Sequence, residues 1–281
     1  MADGDPLEPG PVARTVSCGI SFLVAEPAEV VVQVMASASA GQAEHEQLEV
    51  LVDGEPPSSC HELRDGQGAT MHIIRSAPGQ LTVHYEARIL APPAPAAGAP
   101  GEYERQVYLR ASRYCPSDLL TGFAVAEFGT ERDSGGRGAA ISEWIRLRTG
   151  YVPGSGSVHD SAEHTLLTGV GTCRDFAHLG IALCRATGIP ARFAAVYAPG
   201  LFPMDFHAVF ETLEAGRWCV HDPTGLAPRQ SLVRVVTGRD AADTAFAAVT
   251  TGIADLAGVE LSAIAEPTLP VDDVTQDVEL A

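Results

Sequence analysis

Three residues of the sequence have the types that could make a nucleophilic thiol: Cys173, His207 and Asp222. A cysteine nucleophile needs a base within hydrogen-bond reach, and that base needs a third group to orient it. The histidine would accept the thiol proton or hold it in an ion pair, and the aspartate would fix the imidazole tautomer and stabilise the imidazolium. The predicted chemistry is attack on an amide or ester carbonyl to form a thioester, which water or an amine resolves.

The residues around Cys173 predict a tight turn followed by a helix that begins at the cysteine. Gly169 and Gly171 can adopt backbone angles that are unfavourable for other residues. Thr172 followed three residues later by Asp175 is a capping-box pattern. Free N–H groups and the helix dipole at such a start favour a thiolate, and the Cys173 N–H could help to bind an oxyanion. Apolar residues continue at helical spacing and stop signals follow: Phe176, Leu179, Leu183, Ala186, Gly188 and Pro190. The alternative interpretation of Cys173 is a small apolar residue under a helix.

His207 and Asp222 lie on two predicted strands that a short loop connects into a hairpin. Pairing Leu213 with Trp218 puts Asp222 opposite Val209, so His207 and Asp222 share one face as diagonal neighbours. A slip of one residue in this register would separate them. His207 could also be an ordinary strand histidine, and Asp222 could simply start a turn before a proline.

Other polar or reactive residues near these motifs have simpler interpretations. We expect a structural or supporting role for His178, and a cap and an ion pair for Arg174 and Asp175. Cys184 and Cys219 are expected in the core. Trp144 is expected to pack in the protein, and donation of a hydrogen bond to the oxyanion is its alternative role. The histidines of the first part of the chain show no metal-binding spacing. We therefore predict no metal and no cofactor.

Composition limits the partners of the protein. The 281 residues carry a formal net charge of −18, which argues against binding to nucleic acid or to an anionic membrane surface. All 18 basic residues are arginine, and the sequence contains neither lysine nor asparagine. The chain therefore has no lysine acceptor for an acyl group, and the third member of a triad cannot be asparagine.

Cysteine spacing and the start of the chain bear on location. The six cysteines are widely spread and form no C-x-x-C pair. Residues 1–11 are acidic and lack the features of a signal peptide, and the early apolar run 20–35 is interrupted by charges and a proline. We expect a cytoplasmic protein with reduced thiols.

The sequence predicts an α+β protein with a domain boundary at a proline-rich linker. Short alternating runs over residues 12–95 predict an antiparallel β-sandwich, and residues 91–101 are a Pro/Ala/Gly stretch typical of a linker. Residues 102–264 form a predicted second domain of mixed helices and strands. Residues 265–281 carry five acids and no base, and we expect this acidic tail to be disordered or loosely attached.

The motifs of the second domain resemble the bacterial transglutaminase-like proteins, whose core is papain-like. The resemblance rests on Cys-Arg-Asp-Phe-Ala-His-Leu at 173–179, Gly-Ile-Pro-Ala-Arg at 188–192, His207, Trp218 and Asp-Pro-Thr at 222–224. The segment 108–118 and the β-rich first part of the chain are also similar to that family. By position, the resemblance implies that Cys173 is the nucleophile, His207 the base and Asp222 the third member of a triad.

The resemblance indicates the chemistry better than the substrate. Our first prediction is a thiol-dependent hydrolase, of the cysteine protease or amidase type, that acts on a peptide or protein substrate. The enzyme alternative is acyl transfer from glutamine to an amine, as in a transglutaminase. A non-catalytic peptide-binding scaffold is the third possibility. The sequence leaves the oligomeric state open.

Overall fold

The computed structural model describes residues 13–90, 100–129 and 136–280 and confirms an α+β protein. Its strands are β1 (Ala13–Val32), β2 (Ala43–Val52), β3 (Ser59–Arg64), β4 (Thr70–Ser76), β5 (Gly79–Ile89), β6 (Gly150–Tyr151), β7 (Val170–Gly171), β8 (Ala191–Tyr197), β9 (His207–Glu214), β10 (Arg217–His221), β11 (Val233–Gly238) and β12 (Ala247–Glu266). Its α-helices are α1 (Glu102–Val107), α2 (Ser117–Phe128), α3 (Arg137–Arg148), α4 (Ala162–Thr168) and α5 (Cys173–Ala186). Short 3₁₀ turns lie at Ala38–Ala40 and Arg229–Ser231.

The first sheet is antiparallel and is organised around the long strand β1. One edge of β1 pairs with β12 along its length, whereas the other edge pairs first with β5 and then with β4. β2 continues the sheet beyond β5, and β3 continues it beyond β4. The register of β1 shifts between residues 21 and 30, which is where β-bulges let a strand bend.

The predicted β-sandwich differs from the hydrogen bonding that the structure shows. The strands form one continuous sheet that branches at β1. One arm contains β5 and β2, the other contains β4 and β3, and β1 belongs to both arms. Buried residues from both arms share one core, in which Phe22 and Val83 of one arm join Val32 and Ile74 of the other. A long strand that bends at bulges can pass from one layer to another, which explains why two separate sheets are not needed.

The strand β12 returns to the first sheet from far along the chain. The sequence predicts a second domain over residues 102–264, but β12 pairs with β1 from Ala13 opposite Glu266 to Val32 opposite Ala247. The chain therefore crosses twice between its two β-rich parts, and the domain bounds drawn from the sequence stay a prediction. The leader 1–11 and the linker residues 91–99 lie outside the described residues.

The second sheet is antiparallel, with the strand order β10-β9-β8-β11, and α5 packs against it. A glycine makes this packing close, because a Cβ atom at Gly180 would lie 2.4 Å from the ring of Phe210 on β9. Glu211, also on β9, is fully buried between Arg192 and Arg234, with an N–O distance of 2.7 Å to each. These ion pairs connect β9 to both β8 and β11, and a buried charge between two partners is costly to disrupt.

The acidic tail is attached to the second sheet, so the expectation of a loose or disordered tail is wrong. The buried guanidinium of Arg229 lies 3.0 Å from Asp272, and the Val220 N–H of β10 donates to the Val278 carbonyl at 2.8 Å. Leu280 is buried in an apolar cluster. Charge pattern alone misled here, because the acids of the tail find arginine partners on the body of the protein.

No helix in the described ranges is long and apolar enough to cross a membrane. All six cysteines fall within those ranges, and each of them is a free thiol.

Candidate active site

Cys173 is the first residue of α5, as the turn and capping pattern predicted. Thr172 is the N-cap residue, and its N–H and hydroxyl each donate to Oδ2 of Asp175 at 2.9 Å. The thiol is half-buried. The first N–H groups of a helix have no partner within the helix, so this position presents unpaired donors and the positive end of the dipole beside the sulfur.

The two glycines before the cysteine serve different purposes. Gly169 ends α4 with a φ of +69°, a left-handed conformation that favours glycine, as expected. Gly171 does not have a positive φ, so that part of the expectation is wrong. A Cβ atom there would lie 2.7 Å from the Cβ of Asp175, and close approach to the capping carboxylate is what requires glycine.

The hairpin of β9 and β10 has the predicted register. Leu213 pairs with Trp218 and Phe210 with His221, so Asp222 follows the end of β10 on the face that His207 occupies. The His207 Nε2–H donates to Oδ2 of Asp222 at 2.8 Å, and both side chains are at least 99% buried. His207 and Asp222 therefore meet as diagonal neighbours, as the predicted register of the hairpin requires.

The Asp222 carboxylate is held on its other side by Thr224. Oδ1 of Asp222 accepts from the Thr224 N–H at 2.9 Å and from the Thr224 hydroxyl at 2.7 Å. Sequence reasoning noted the turn at Asp222 but missed the role of Thr224 as its partner. Aspartate followed two residues later by a hydroxyl residue is a common turn signal that could have suggested this contact.

The remaining nitrogen of the His207 ring is left for the cysteine. Nδ1 is buried and makes no hydrogen bond within the described part of the chain, but the Cys173 thiol lies close enough to stabilise the imidazolium. Burial opposes a charge on this ring. The carboxylate of Asp222, together with Cys173, outweighs burial and raises the pKa of His207 to about 10. The ring is thus disposed to hold a proton between a carboxylate and a sulfur.

Tyr151 is a site residue that the sequence analysis missed. The short parallel strands β6 and β7 pair Tyr151 with Gly171, which brings the tyrosine beside the start of α5. Its ring also packs edge-on against Phe176 of that helix, with 6.0 Å between ring centroids. Burial, followed by the negative charges of Cys173, Asp205 and Asp222, raises the pKa of Tyr151 to about 12. A two-residue strand leaves no periodic pattern, so only three-dimensional pairing could identify this residue.

The other residues singled out in the sequence have structural roles. His178 is fully buried beside Tyr114, its Nε2 accepts from the Ala241 N–H at 3.1 Å, and burial lowers its pKa to about 3. Trp144 donates to Glu127 at 2.8 Å and packs against Phe123 and Phe128, so the structure does not bring it to Cys173. As expected, Asp175 caps α5 and pairs with Arg174, and Cys184 and Cys219 are buried.

No cluster of three or more histidine, cysteine, aspartate or glutamate side chains suited to a metal ion occurs in residues 13–90, 100–129 and 136–280. The geometry that these residues do provide is a thiol at a helix start and a buried pair of an imidazole and a carboxylate. Such a set of groups can transfer a proton from sulfur and stabilise the charge that results.

Comparison with known proteins gives matches to this part of the chain and to the whole fold. A sequence profile described as the transglutaminase-like superfamily matches residues 124–223, a range that contains all three candidate site residues. A solved structure from Cytophaga hutchinsonii, described as a candidate cysteine protease, has a TM-score of 0.82 and 30% identity, and the match covers 94% of this chain and 93% of that one.

Two further matches are more partial. The protein ML0607 of Mycobacterium leprae is 33% identical over 117 residues, which are 38% of this chain and 41% of that protein, so the match spans less than half of that relative. The periplasmic domain of TgpA from Pseudomonas aeruginosa has 17% identity and a TM-score of 0.42, and the match covers 75% of this chain and 90% of that one.

Proposed function

Because the chain belongs to the transglutaminase-like superfamily, we propose that it is a thiol-dependent amide hydrolase with Cys173 as nucleophile, His207 as base and Asp222 as the residue that orients the base. The observation that carries the proposal is the buried imidazole of His207, which donates to Asp222 at 2.8 Å through Nε2 and keeps Nδ1 without a hydrogen bond beside Cys173. A cysteine protease or amidase needs this order of groups.

In the first step, the proton of the Cys173 thiol passes to Nδ1 of His207, and the sulfur attacks the carbonyl carbon of the substrate amide. The carbon–oxygen double bond opens, and a tetrahedral intermediate with a negative oxygen forms. The imidazolium then returns its proton to the amide nitrogen, the C–N bond breaks, and an amine leaves. The product on the protein is a thioester at Cys173.

In the second step, water attacks the thioester and gives its proton to His207, which now acts as base. The C–S bond breaks, the proton returns to the sulfur, and a carboxylic acid is released. An amine in place of water would give acyl transfer, the alternative reaction. The chain contains no lysine that could serve as its own side-chain acceptor, and water is always present, so we favour hydrolysis.

The negative oxygen of the intermediate needs hydrogen-bond donors. The Cys173 N–H at the start of α5 is the first candidate, since helix N-termini stabilise negative charge. The phenol of Tyr151 is the second, because Tyr151 pairs with Gly171 just before Cys173 and a tyrosine hydroxyl is protonated at neutral pH. Preorganised donors of this kind lower the barrier more than donors that must first turn away from water.

Trapping the thioester tests this proposal directly. The protein would be incubated with a peptide library, quenched in acid and digested, and mass spectrometry would locate an acyl group on Cys173. The Cys173→Ala variant is the control, and a labelled amine added in parallel separates hydrolysis from acyl transfer. Acylation confined to Cys173 supports the proposal. Absence of acylation together with binding of the peptides would favour a non-catalytic scaffold.

We also propose a peptide or protein substrate and a cytoplasmic location. Six free thiols and a net charge of −18 support a reducing compartment and argue against nucleic-acid and anionic membrane partners. Fractionation of the native host, with each fraction probed by an antibody, tests the location. A signal confined to a membrane or secreted fraction would contradict it.

A further inference from the structure

The loop that precedes His207 is anchored at both ends and exposed between them. Leu201 is buried in the apolar cluster of the second sheet, and Phe206 packs on Phe246 with 4.6 Å between ring centroids. Phe202 and Asp205, between these anchors, are exposed. A loop fixed by two apolar contacts presents its exposed side chains at a defined position, and here that position is next to the candidate base.

Asp205 lies two residues before His207, at the end of the loop that leads into β9. Phe206, between them, turns away from the site to contact Tyr197 and Phe246 in the core of the first sheet. His207, the next residue, meets Asp222 instead, so Phe206 and His207 point in different directions at the start of β9. Asp205, the exposed residue before Phe206, has a charge that acts on Tyr151, and Tyr151 pairs with Gly171 just before α5, so Asp205 lies near the outer rim of the same site.

The charge of Asp205 is available to a ligand. Oδ1 accepts from the N–H of Phe206 at 2.7 Å, and within the described residues the carboxylate makes no ion pair. Arg174, the second residue of α5, is engaged with other groups: it pairs with Asp175 and donates to the Ser157 carbonyl. The negative charge of Asp205 also acts on the phenol of Tyr151, as do those of Cys173 and Asp222, which agrees with a position at the mouth of the site.

We propose that Asp205 is a specificity-determining residue whose exposed carboxylate binds a positively charged group of the substrate beside the amide that Cys173 attacks. The favoured substrates are therefore peptides with an arginine, a lysine or a free amino group close to the scissile bond. The inference rests on the proposed function, because it assigns a substrate class to the same site. A carboxylate and a cation attract one another across a rim of this kind, while an acidic substrate is repelled.

Charged thiol reagents test the position of Asp205 without any substrate. Methanethiosulfonates that carry a trimethylammonium or a sulfonate group would be reacted with the protein, and peptide mapping would give the rate at each cysteine. We expect Asp205→Asn to lower the ratio of cationic to anionic rates at Cys173 by about fivefold at ~10 mM salt, and by less at high salt. Asparagine keeps an oxygen that can accept from the Phe206 N–H.

Two controls are built into this experiment. Cys60 is exposed on β3 of the first sheet, so its ratio should not change in the same sample. Asp255→Asn removes an exposed carboxylate from β12 and should leave the ratio at Cys173 unchanged. Asp205→Glu keeps the charge and should retain most of the wild-type ratio. An unchanged ratio at Cys173 in folded Asp205→Asn would overturn the role of Asp205.

Matched peptides that differ only in an arginine, glutamine or glutamate next to the scissile amide test the substrate class. We expect kcat/KM to fall in that order in the wild type and to become nearly equal in Asp205→Asn. Equal values in the wild type would overturn the inference while leaving hydrolysis intact. Failure of the neutral reagent iodoacetamide to react selectively at Cys173 would instead count against the proposed function, so the two failures are distinguishable.

Discussion

Asp222 holds the His207 ring through a contact of 2.8 Å between Oδ2 and Nε2, and it leaves the buried Nδ1 without a hydrogen bond among the described residues. Both partners are withdrawn from water. The contact therefore controls the protonation of the imidazole as well as its orientation, since a buried charge without a partner is disfavoured.

Replacement of Asp222 by asparagine should lower the pKa of His207 from about 10 to below its ordinary value of about 6.5, because burial then acts without an opposing carboxylate. Titration of the His207 ring by NMR measures this change. The rate of alkylation at Cys173 at neutral pH should fall by about 100-fold, as expected for loss of a properly held base. A His207 ring that still titrates near 10 in folded Asp222→Asn would contradict the electrostatic account.

The same contact predicts how stability depends on pH. A histidine whose pKa is raised on folding, here from 6.5 to about 10, stabilises the fold fully below pH 6.5 and loses this contribution as the pH rises to 10. The melting temperature of the wild type should therefore exceed that of Asp222→Asn most near pH 6.5, and the difference should narrow toward pH 10. Thermal unfolding of both proteins across this range measures it. A difference that widens with rising pH would contradict the prediction.

Thr224 should act as a positioning residue for Asp222. Thr224→Val removes the hydroxyl that donates to Oδ1 at 2.7 Å but keeps the shape and the backbone donor. We expect about a tenfold loss of kcat, since one hydrogen bond to a carboxylate contributes about 1.5 kcal/mol, and a higher pKa of Asp222 on the acid side of the pH–rate profile, because the Thr224 hydroxyl lowers that pKa. Thr224→Ser should restore both. Equal profiles for the valine and serine variants would show that the hydroxyl has no part in the site.

Two helical glycines provide a matched test of the packing that positions α5. Gly180→Ala would put a Cβ atom 2.4 Å from the Phe210 ring, and the free energy of unfolding should fall by about 1–3 kcal/mol. Gly122→Ala on α2 meets no atom within 4 Å, and it should raise that free energy by about 0.5–1 kcal/mol, because glycine is a poor helix former. Urea denaturation of both variants measures the effects. Similar values for the two would contradict the close approach of α5 to β9.

Local signals explain why the core of the site could be predicted from the sequence. The capping pattern of Thr172 and Asp175 identified the start of α5, and the short loop after Leu213 determined the register that joins His207 to Asp222. Each of these features depends on residues close together in the chain. The pairing of neighbouring strands and the start of a helix are what such short-range patterns specify.

Features that depend on distant residues were missed. β12 joins β1 across more than two hundred residues, and the two-residue pairing of Tyr151 with Gly171 has no periodicity. The attachment of the acidic tail depends on Arg229, whose partner Asp272 looks like one more acid of a solvated segment. Contacts of this kind result from tertiary packing, which overrides local composition.

The rate at which iodoacetamide modifies each cysteine tests the central claim most directly. Cys60 is the matched reference, because it is more exposed than Cys173 yet burial and Glu62 raise its pKa. At neutral pH we predict that Cys173 reacts about 10- to 100-fold faster than Cys60, and that His207→Ala removes this advantage without changing the rate at Cys60. Cys173 reacting no faster than Cys60 in the wild type, or keeping its advantage in folded His207→Ala, would contradict the account.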